Sequence, residues 1–266
     1  MQPDYWPWMM AYHHVREPLY RRLIQDLQLA PATRLLDVGC GDGFYSQLFS
    51  NLLGPGAQIV ALDNNLSQLQ AAGGLAPNVL RCGGDLEQLC LAPDSFDAVW
   101  LCRSMHAARD PLALLGDLAH LLRPGGKLIV VENDTAHYPI LPLPGDFEQR
   151  LREARLRYEQ SRCGSNALAA RYKAGRHLPH WLRQLGLVEL SVHTIVSEDL
   201  APLMPEVEAY WRLFLGWDAQ KIGPFLSSAD AATYRALFDP AAPQYLFASP
   251  GCYVVELTTV AWASRP

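Results

Sequence analysis

The chain has 266 residues, half of them apolar, with 22 Lys and Arg against 27 Asp and Glu and a net charge of −5. This length suits one large α/β domain with additions, and the acidic balance argues against a nucleic-acid partner or an anionic-membrane module, both of which need a basic face. No apolar run approaches the roughly 18 residues of a membrane span, no secretory leader is visible, and Cys40, Cys82, Cys90, Cys102, Cys163 and Cys252 form no C-x-x-C pair, so the expectation is a cytoplasmic protein with reduced thiols, monomer or homodimer, holding neither a disulfide framework nor a metal.

Residues 1–30 read as an N-terminal helical cap, with a helix over Glu17 to Leu29 whose Leu19, Leu23 and Leu27 share a face with Tyr20 and Ile24. From residue 33 strands and helices alternate. Strands are predicted at Arg34–Val38, Gln58–Asp63, Asn78–Cys82, Phe96–Leu101 and Lys127–Glu132. Helices are predicted at Phe44–Leu53, Asn65–Ala72 and Pro111–Leu122, the last ended by an Arg-Pro-Gly-Gly turn. Short connections of this kind imply right-handed βαβ units and a parallel sheet. The rhythm then breaks. Residues 134–175 form a first insertion with a helix over Phe147–Gln160, whose arginines between 150 and 157 alternate with Glu148 and Glu153 and read as a solvated face. A helix over Pro179–Leu185 and a strand over Leu187–Val196 resume the core. Residues 197–250 form a second insertion with helices over Glu206–Leu215 and Ala229–Phe238, the latter capped by Ser227 or Ser228. A strand over Cys252–Ala263 closes the chain.

Chemistry concentrates in Leu35-Leu36-Asp37-Val38-Gly39-Cys40-Gly41-Asp42-Gly43, where a strand should end and a helix begin. Small residues there let a ligand reach the backbone, and the helix N-terminus offers unpaired N–H groups. The dinucleotide fingerprint would need glycine at 44, where Phe44 stands, which disfavours a nicotinamide oxidoreductase. Asp63, at the end of the second strand, can accept hydrogen bonds from two ribose hydroxyls.

With CGGDLEQL, FDAVWLCRSMHAARDP and LLRPGGKLIVVE following in order, the chain resembles the class I S-adenosylmethionine-dependent methyltransferases, in the group related to quinone-biosynthesis enzymes. The resemblance covers residues 33–133 well and 176–196 and 252–263 loosely. It implies a Rossmann-like, mostly parallel seven-stranded sheet flanked by helices, in a single domain whose N-terminal segment and two insertions form an acceptor lid over the ligand face. It also implies S-adenosylmethionine as cofactor, with S-adenosylhomocysteine as product, and a small, partly apolar acceptor. By the same resemblance Gly39, Cys40, Gly41 and Gly43 approach the methionine part of the cofactor and Asp37 orients the turn. Asp63 holds the ribose, Asn64 lies beside the adenine, Asp85 and the Leu86 amide face the adenine amine, and Cys102 and Arg103 present backbone to the cofactor.

His106 is the candidate base, against the plainer reading of a packed or capping histidine. Tyr12, Tyr172 and Arg176 are the candidate acceptor contacts. Glu132-Asn133-Asp134 reads either as facing the ligand or as a loop cap, and three adjacent residues cannot converge on one ion. His177 and His180 lack a third ligand. Two alternatives share the cofactor: a binding protein that transfers no methyl group, and an enzyme of this fold running another reaction.

Overall fold

The computed structural model describes residues 6–65, 68, 74–133, 139–163 and 173–266. They fall into two compact units. A sheet unit comprises Leu19–Thr135, Ala170–Ile195 and Thr258–Pro266, and a helical unit comprises Met1–Pro18, Ala136–Ala169 and Val196–Leu257, as far as these are described.

Strands β1 (Arg34–Val38), β2 (Gln58–Asp63), β3 (Val79–Gly83), β4 (Phe96–Cys102), β5 (Leu122–Asn133), β6 (Val188–Leu200) and β7 (Tyr253–Ser264) form one sheet in the order β3-β2-β1-β4-β5-β7-β6. β1 pairs in parallel with β2 and β4, β2 with β3, and β4 with β5, whereas β5 and β7 are antiparallel. The expected mostly parallel seven-stranded α/β sheet is therefore present. Strand order reverses between β1 and β4, and in open sheets of this kind ligands bind beyond the carboxyl ends of the strands at that reversal.

The central strands are apolar on both faces because helices cover both. Leu36 and Val38 of β1 and Val99 and Leu101 of β4 join one core with Leu114, Leu115 and Leu118 of α3 (Pro111–Leu121) and Leu178 and Leu182 of α5 (Ala174–Gln184). The alternate residues face the other way. There Trp100, fully buried, meets Tyr45 and Phe49 of α2 (Phe44–Leu53) with ring centroids 5.6 and 5.2 Å apart. Tyr20 of α1 (Trp6–Asp26) in turn lies 4.9 Å from Tyr45. The start of α3 follows from local chemistry: Asp110 accepts from Leu112 N and Ala113 N, and Pro111 opens the helix, where its missing N–H costs nothing.

Several boundaries differ from the sequence expectation, each for a physical reason. α1 begins at Trp6 rather than Glu17 and contains Pro18; Pro18 resembles a first-turn proline, but packing of Trp8 and Tyr12 carries the helix two turns and more ahead of it. β6 runs on to Leu200 because its inward residues there, Ser197 and Asp199, are polar, so apolar alternation does not mark them. α5 begins at Ala174 and holds Pro179 inside it. β5 starts at Leu122, with the glycine turn accommodated as an irregularity of its register with β4. The helix expected over Asn65–Ala72 lies largely outside the described residues.

The helical unit is built from the start of α1, α4 (Gly145–Cys163), α6 (Pro205–Ile222) and α7 (Ser228–Phe238). Its core is aromatic, with Trp8 and Phe214 at 5.3 Å and Tyr12 and Tyr210 at 5.6 Å. At its centre Arg16 donates to both oxygens of Asp199 at 3.1 and 2.6 Å, Trp211 Nε1 donates to Asp199 at 2.8 Å, and Glu256 stands 3.6 Å from the guanidinium. Burial alone would lower the Arg16 pKa, but the bond to Asp199 and the Glu256 charge outweigh it and hold the guanidinium firmly protonated. Ser227 caps α7 by accepting from Asp230 N. The solvated-face expectation for α4 holds for Arg150, Arg152 and Arg157, which are exposed, but not for Arg155, which turns inward to buried Asp218 at 2.7 Å; Arg150 pairs with Asp230 at 2.8 Å. Asp199→Ala strands the Arg16 charge in this interior, and urea unfolding should register a loss of about 3–5 kcal/mol.

Candidate functional site

β1 ends at Val38, and the chain turns through Gly39, Gly41 and Gly43 at φ of 69°, 57° and 78°. These are left-handed conformations that residues with a Cβ adopt at a cost. A Cβ on Gly39 would stand 2.4 Å from Ser104 Oγ and one on Gly43 2.9 Å from Leu75 Cδ1, whereas one on Gly41 would meet no atom within 4 Å. The outer two glycines are thus required by the fold, and the middle one leaves backbone open to a ligand. Gly39 N and Cys40 N both donate to Leu62 O at 2.8 and 3.1 Å, anchoring the turn to β2.

Asp63, the last residue of β2, closes the turn from the side. One carboxylate oxygen accepts from Gly41 N and the other from Asn65 N, each at 2.8 Å. Each oxygen has a second lone pair, so both can still accept from a ligand hydroxyl. Asn64 is exposed beside it. Beneath the turn Asp37 is buried, accepts from Ser46 Oγ at 2.6 Å, and is pushed up to about 7 by burial; the Ser46 bond opposes the shift, and Asp42 and Asp63 add to it. Burial likewise pushes up the Cys40 thiol, helped by Asp37 and Asp63, so Cys40 is an inert wall and not a nucleophile.

β4 delivers the next part. Cys102 is buried, with its thiol pushed up to about 12 by burial. Arg103 takes φ 54°, uncommon for a residue with a side chain, while its N–H donates to Val131 O at 2.8 Å. Ser104 lies against Gly39, and Met105–Ala107 forms a single 3₁₀ turn that exposes His106. Glu132, at the end of β5, is buried and accepts from Met105 N at 2.8 Å. Burial pushes it up to about 7, against the amides of Met105 and Ser104 and the charge of Arg103. Of the two readings of Glu132, the loop cap is the one present.

β3 brings up the third part. Gly84 N donates to Asp63 O at 3.1 Å, and Asp85, exposed, turns the chain by accepting from Glu87 N at 3.0 Å. Leu86 packs against the core, and Glu87 pairs with Arg109 at 2.9 Å, tying this turn to the segment after β4. Asp37, the glycine turn, Asp63, Asp85, Cys102, Arg103 and His106 thus all follow the carboxyl ends of neighbouring strands. Tyr12 is fully buried in the aromatic core of the helical unit, Arg176 is exposed on α5, and Tyr172 lies outside the described residues. Ser46 and Ser104 carried no sequence signal, since their partners are chosen by the packing of α2 on β1 and of β4 beside β1.

A left-handed glycine turn at the strand reversal, an acid at the end of the second strand, and a βα order with a final antiparallel strand together form a candidate ligand site. The family model described as a methyltransferase domain matches residues 36–130. A demethylmenaquinone methyltransferase of Renibacterium salmoninarum is 29% identical over 185 residues, covering 66% of this chain and 76% of that protein. A ubiquinone/menaquinone biosynthesis C-methyltransferase of Ectopseudomonas mendocina is 28% identical over 130 residues, covering 46% of this chain and 51% of that protein. The chain thus spans about half the length of some of the curated relatives it matches. A phosphoethanolamine N-methyltransferase 2 of Haemonchus contortus, solved with phosphomonomethylethanolamine and S-adenosylhomocysteine, aligns at TM-score 0.54 and 15% identity over 93% of this chain and 52% of that one.

Over residues 36–130 the chain is thus similar to a methyltransferase domain, and over a longer stretch to methyltransferases of quinone biosynthesis.

Asp37 and Glu132 are both raised from ordinary carboxyl values of 3.8 and 4.5 to about 7. The folded state therefore holds more protons than the unfolded chain between those limits, so stability falls as pH rises from about 4 to 7 and levels off above. Asp37→Asn keeps an acceptor for Ser46 and should flatten that slope in urea titrations at a series of pH values; an unchanged slope would refute the assignment.

Proposed function

We propose that the acceptor is a partly apolar ring of the quinol type, methylated at carbon, and that the turn after β1 with Asp63 holds the cofactor. The single observation that carries the cofactor assignment is the joint geometry of Gly41 and Asp63: an open glycine backbone whose own N–H is fixed by a carboxylate with lone pairs to spare. The residues present fit such a cofactor. Gly39, Cys40, Gly41 and Gly43 would flank its methionine part, Asp37 would keep the turn in shape from below, and Asp63 would accept from the ribose hydroxyls. Asn64, Asp85 and Leu86 would flank the adenine, and Cys102 and Arg103 would line the side of β4. The acceptor class follows from the printed activities of the relatives, a demethylmenaquinone methyltransferase and a ubiquinone/menaquinone C-methyltransferase.

When bound, S-adenosylmethionine supplies an already electrophilic methyl group, so no covalent enzyme intermediate is needed. The task left to the protein is to hold the acceptor carbon in line and keep water out, and positioning of this kind is worth as much as about 7–11 kcal/mol. A quinol ring carbon becomes nucleophilic when its hydroxyl loses a proton. His106, exposed on the turn after β4, is the residue we assign to take that proton, since an imidazole near neutrality suits the task. Arg176 and the aromatic residues Tyr12 and Tyr172 remain the proposed acceptor contacts, and residues 1–30, 134–175 and 197–250 the proposed acceptor lid of a single methyltransferase domain. Among the described residues no helix is long and apolar enough to cross a membrane; a cytoplasmic location and the absence of a nucleic-acid partner belong to the proposal.

Calorimetric titration with S-adenosylmethionine and S-adenosylhomocysteine, with NAD as control, tests the cofactor site. Binding of both sulfur compounds and not of NAD is expected, and Asp63→Ala should weaken binding by about 1.5–3 kcal/mol through loss of charge-assisted hydrogen bonds. Incubation with a demethylated menaquinol in detergent should then yield a product heavier by one methylene. His106→Ala should lower turnover while leaving S-adenosylhomocysteine affinity unchanged, and full turnover at every pH would remove the base assignment.

A further inference from the structure

We propose that Glu132 is a positioning residue for methyl transfer: its carboxylate, fixed at the end of β5, holds the amides after β4 and through them sets both the His106 turn and the wall against which the glycine turn rests. The inference rests on the cofactor reading above. Cys102 of β4 is paired with Val131 of β5, so Glu132, still paired with Thr259 of β7 on its other side, stands level with Arg103 just after β4. Its Oε1 accepts from Met105 N at 2.8 Å, and the nearby Ser104 amide also favours its charged form. The side chain is only 6% exposed, which is uncommon for a glutamate.

Ser104 and Met105 are the residues where the segment can go wrong. Arg103 before them sits at φ 54°, a conformation that persists only when its surroundings impose it. Met105 opens the 3₁₀ turn that presents His106. Ser104 Oγ, which donates to Cys102 O at 3.1 Å, occupies the space that a Cβ on Gly39 would need. If the two amides were released, Arg103 would be free to relax, His106 would lose its fixed place, and Ser104 would shift against Gly39. Glu132 thus links the end of β5 to the turn after β1 through one short chain of contacts, all within the sheet unit. The Arg103 charge, just after β4, favours the charged form of Glu132, and Glu132 in turn helps keep the Cys102 thiol protonated.

The role requires an acceptor at the right reach and does not require a charge, because a carboxamide oxygen can take the same amide bond. That separates positioning from electrostatics. S-adenosylhomocysteine affinity by calorimetry and amide hydrogen exchange at Met105 are read for the wild type, Glu132→Gln, Glu132→Asp and Glu132→Ala. We expect Glu132→Gln to stay close to wild type in both. Glu132→Asp, one methylene short, and Glu132→Ala should bind S-adenosylhomocysteine roughly tenfold more weakly, as loss of one buried charge-assisted bond implies, with faster exchange at Met105. If the alanine variant fails to fold, the Asp and Gln variants carry the comparison. Wild-type affinity in Glu132→Asp or Glu132→Ala, or a Glu132→Gln as weak as the alanine variant, overturns the inference and leaves the cofactor reading standing. Failure of the wild type to bind S-adenosylhomocysteine overturns both.

Discussion

The close approach of the turn after β1 to the turn after β4 is the constraint on which the rest of the site depends. Ser104 Oγ fills the space that a Cβ on Gly39 would need, and Gly39 itself takes a left-handed conformation, so a residue with a side chain there would be strained and would have to displace Ser104. That contact exists because β1 and β4 are hydrogen-bonded neighbours, with Asp37 level with Trp100 and Val38 with Leu101. The two strands are neighbours because the sheet order reverses there, which opens the crevice in which a ligand can lie across two loops. From this one approach follow the left-handed turn, the open backbone at Gly41, and the place of Asp63, which fixes the Gly41 amide from β2.

The polar groups beneath the crevice are organised by burial more than by charge pairing. Asp37 and Glu132 are both buried acids whose pKa is raised, and each is tied to a donor on the next element, Ser46 of α2 and the Met105 amide after β4. Buried acids of this kind keep their hydrogen bonds whether or not they carry a proton, so they specify geometry over the neutral range while costing stability as pH rises. The cysteines beside them, Cys40 and Cys102, are kept in the thiol form by the same burial and neighbouring carboxylates, which leaves the floor of the site chemically quiet.

The helical unit solves a different problem. Part of its core is a cluster of rings, Trp8, Tyr12, Tyr210, Trp211 and Phe214, and Tyr210 and Trp211 lie against one buried guanidinium. Arg16 meets Asp199 and Glu256, so α1, β6 and β7 are held by a charge cluster with a fixed geometry, and Trp211 adds α6 to it. Buried charges of this sort are weak evidence for stability and better evidence that one arrangement is selected, because every partner must be present at once.

By itself the sequence determined the sheet unit. β1, β2 and β4 are short apolar runs, and α2 and α3 each keep an apolar face, so periodicity and punctuation place them to within a few residues. The glycine spacing and the acid at the end of β2 marked the cofactor turn for the same reason: backbone conformation and close approach restrict which residues are allowed there. Only the tertiary structure decided the rest. The N-terminal turns of α1 pass through Pro18, the end of β6 turns polar residues inward, and Arg155 leaves an apparently solvated face for Asp218, all because long-range packing overrides local preference. Ser46 under Asp37, Ser104 against Gly39 and Glu132 on the Met105 amide are separated in sequence from the groups they serve. Their selection rests on which strands and helices lie side by side, a property that no local pattern in the chain encodes.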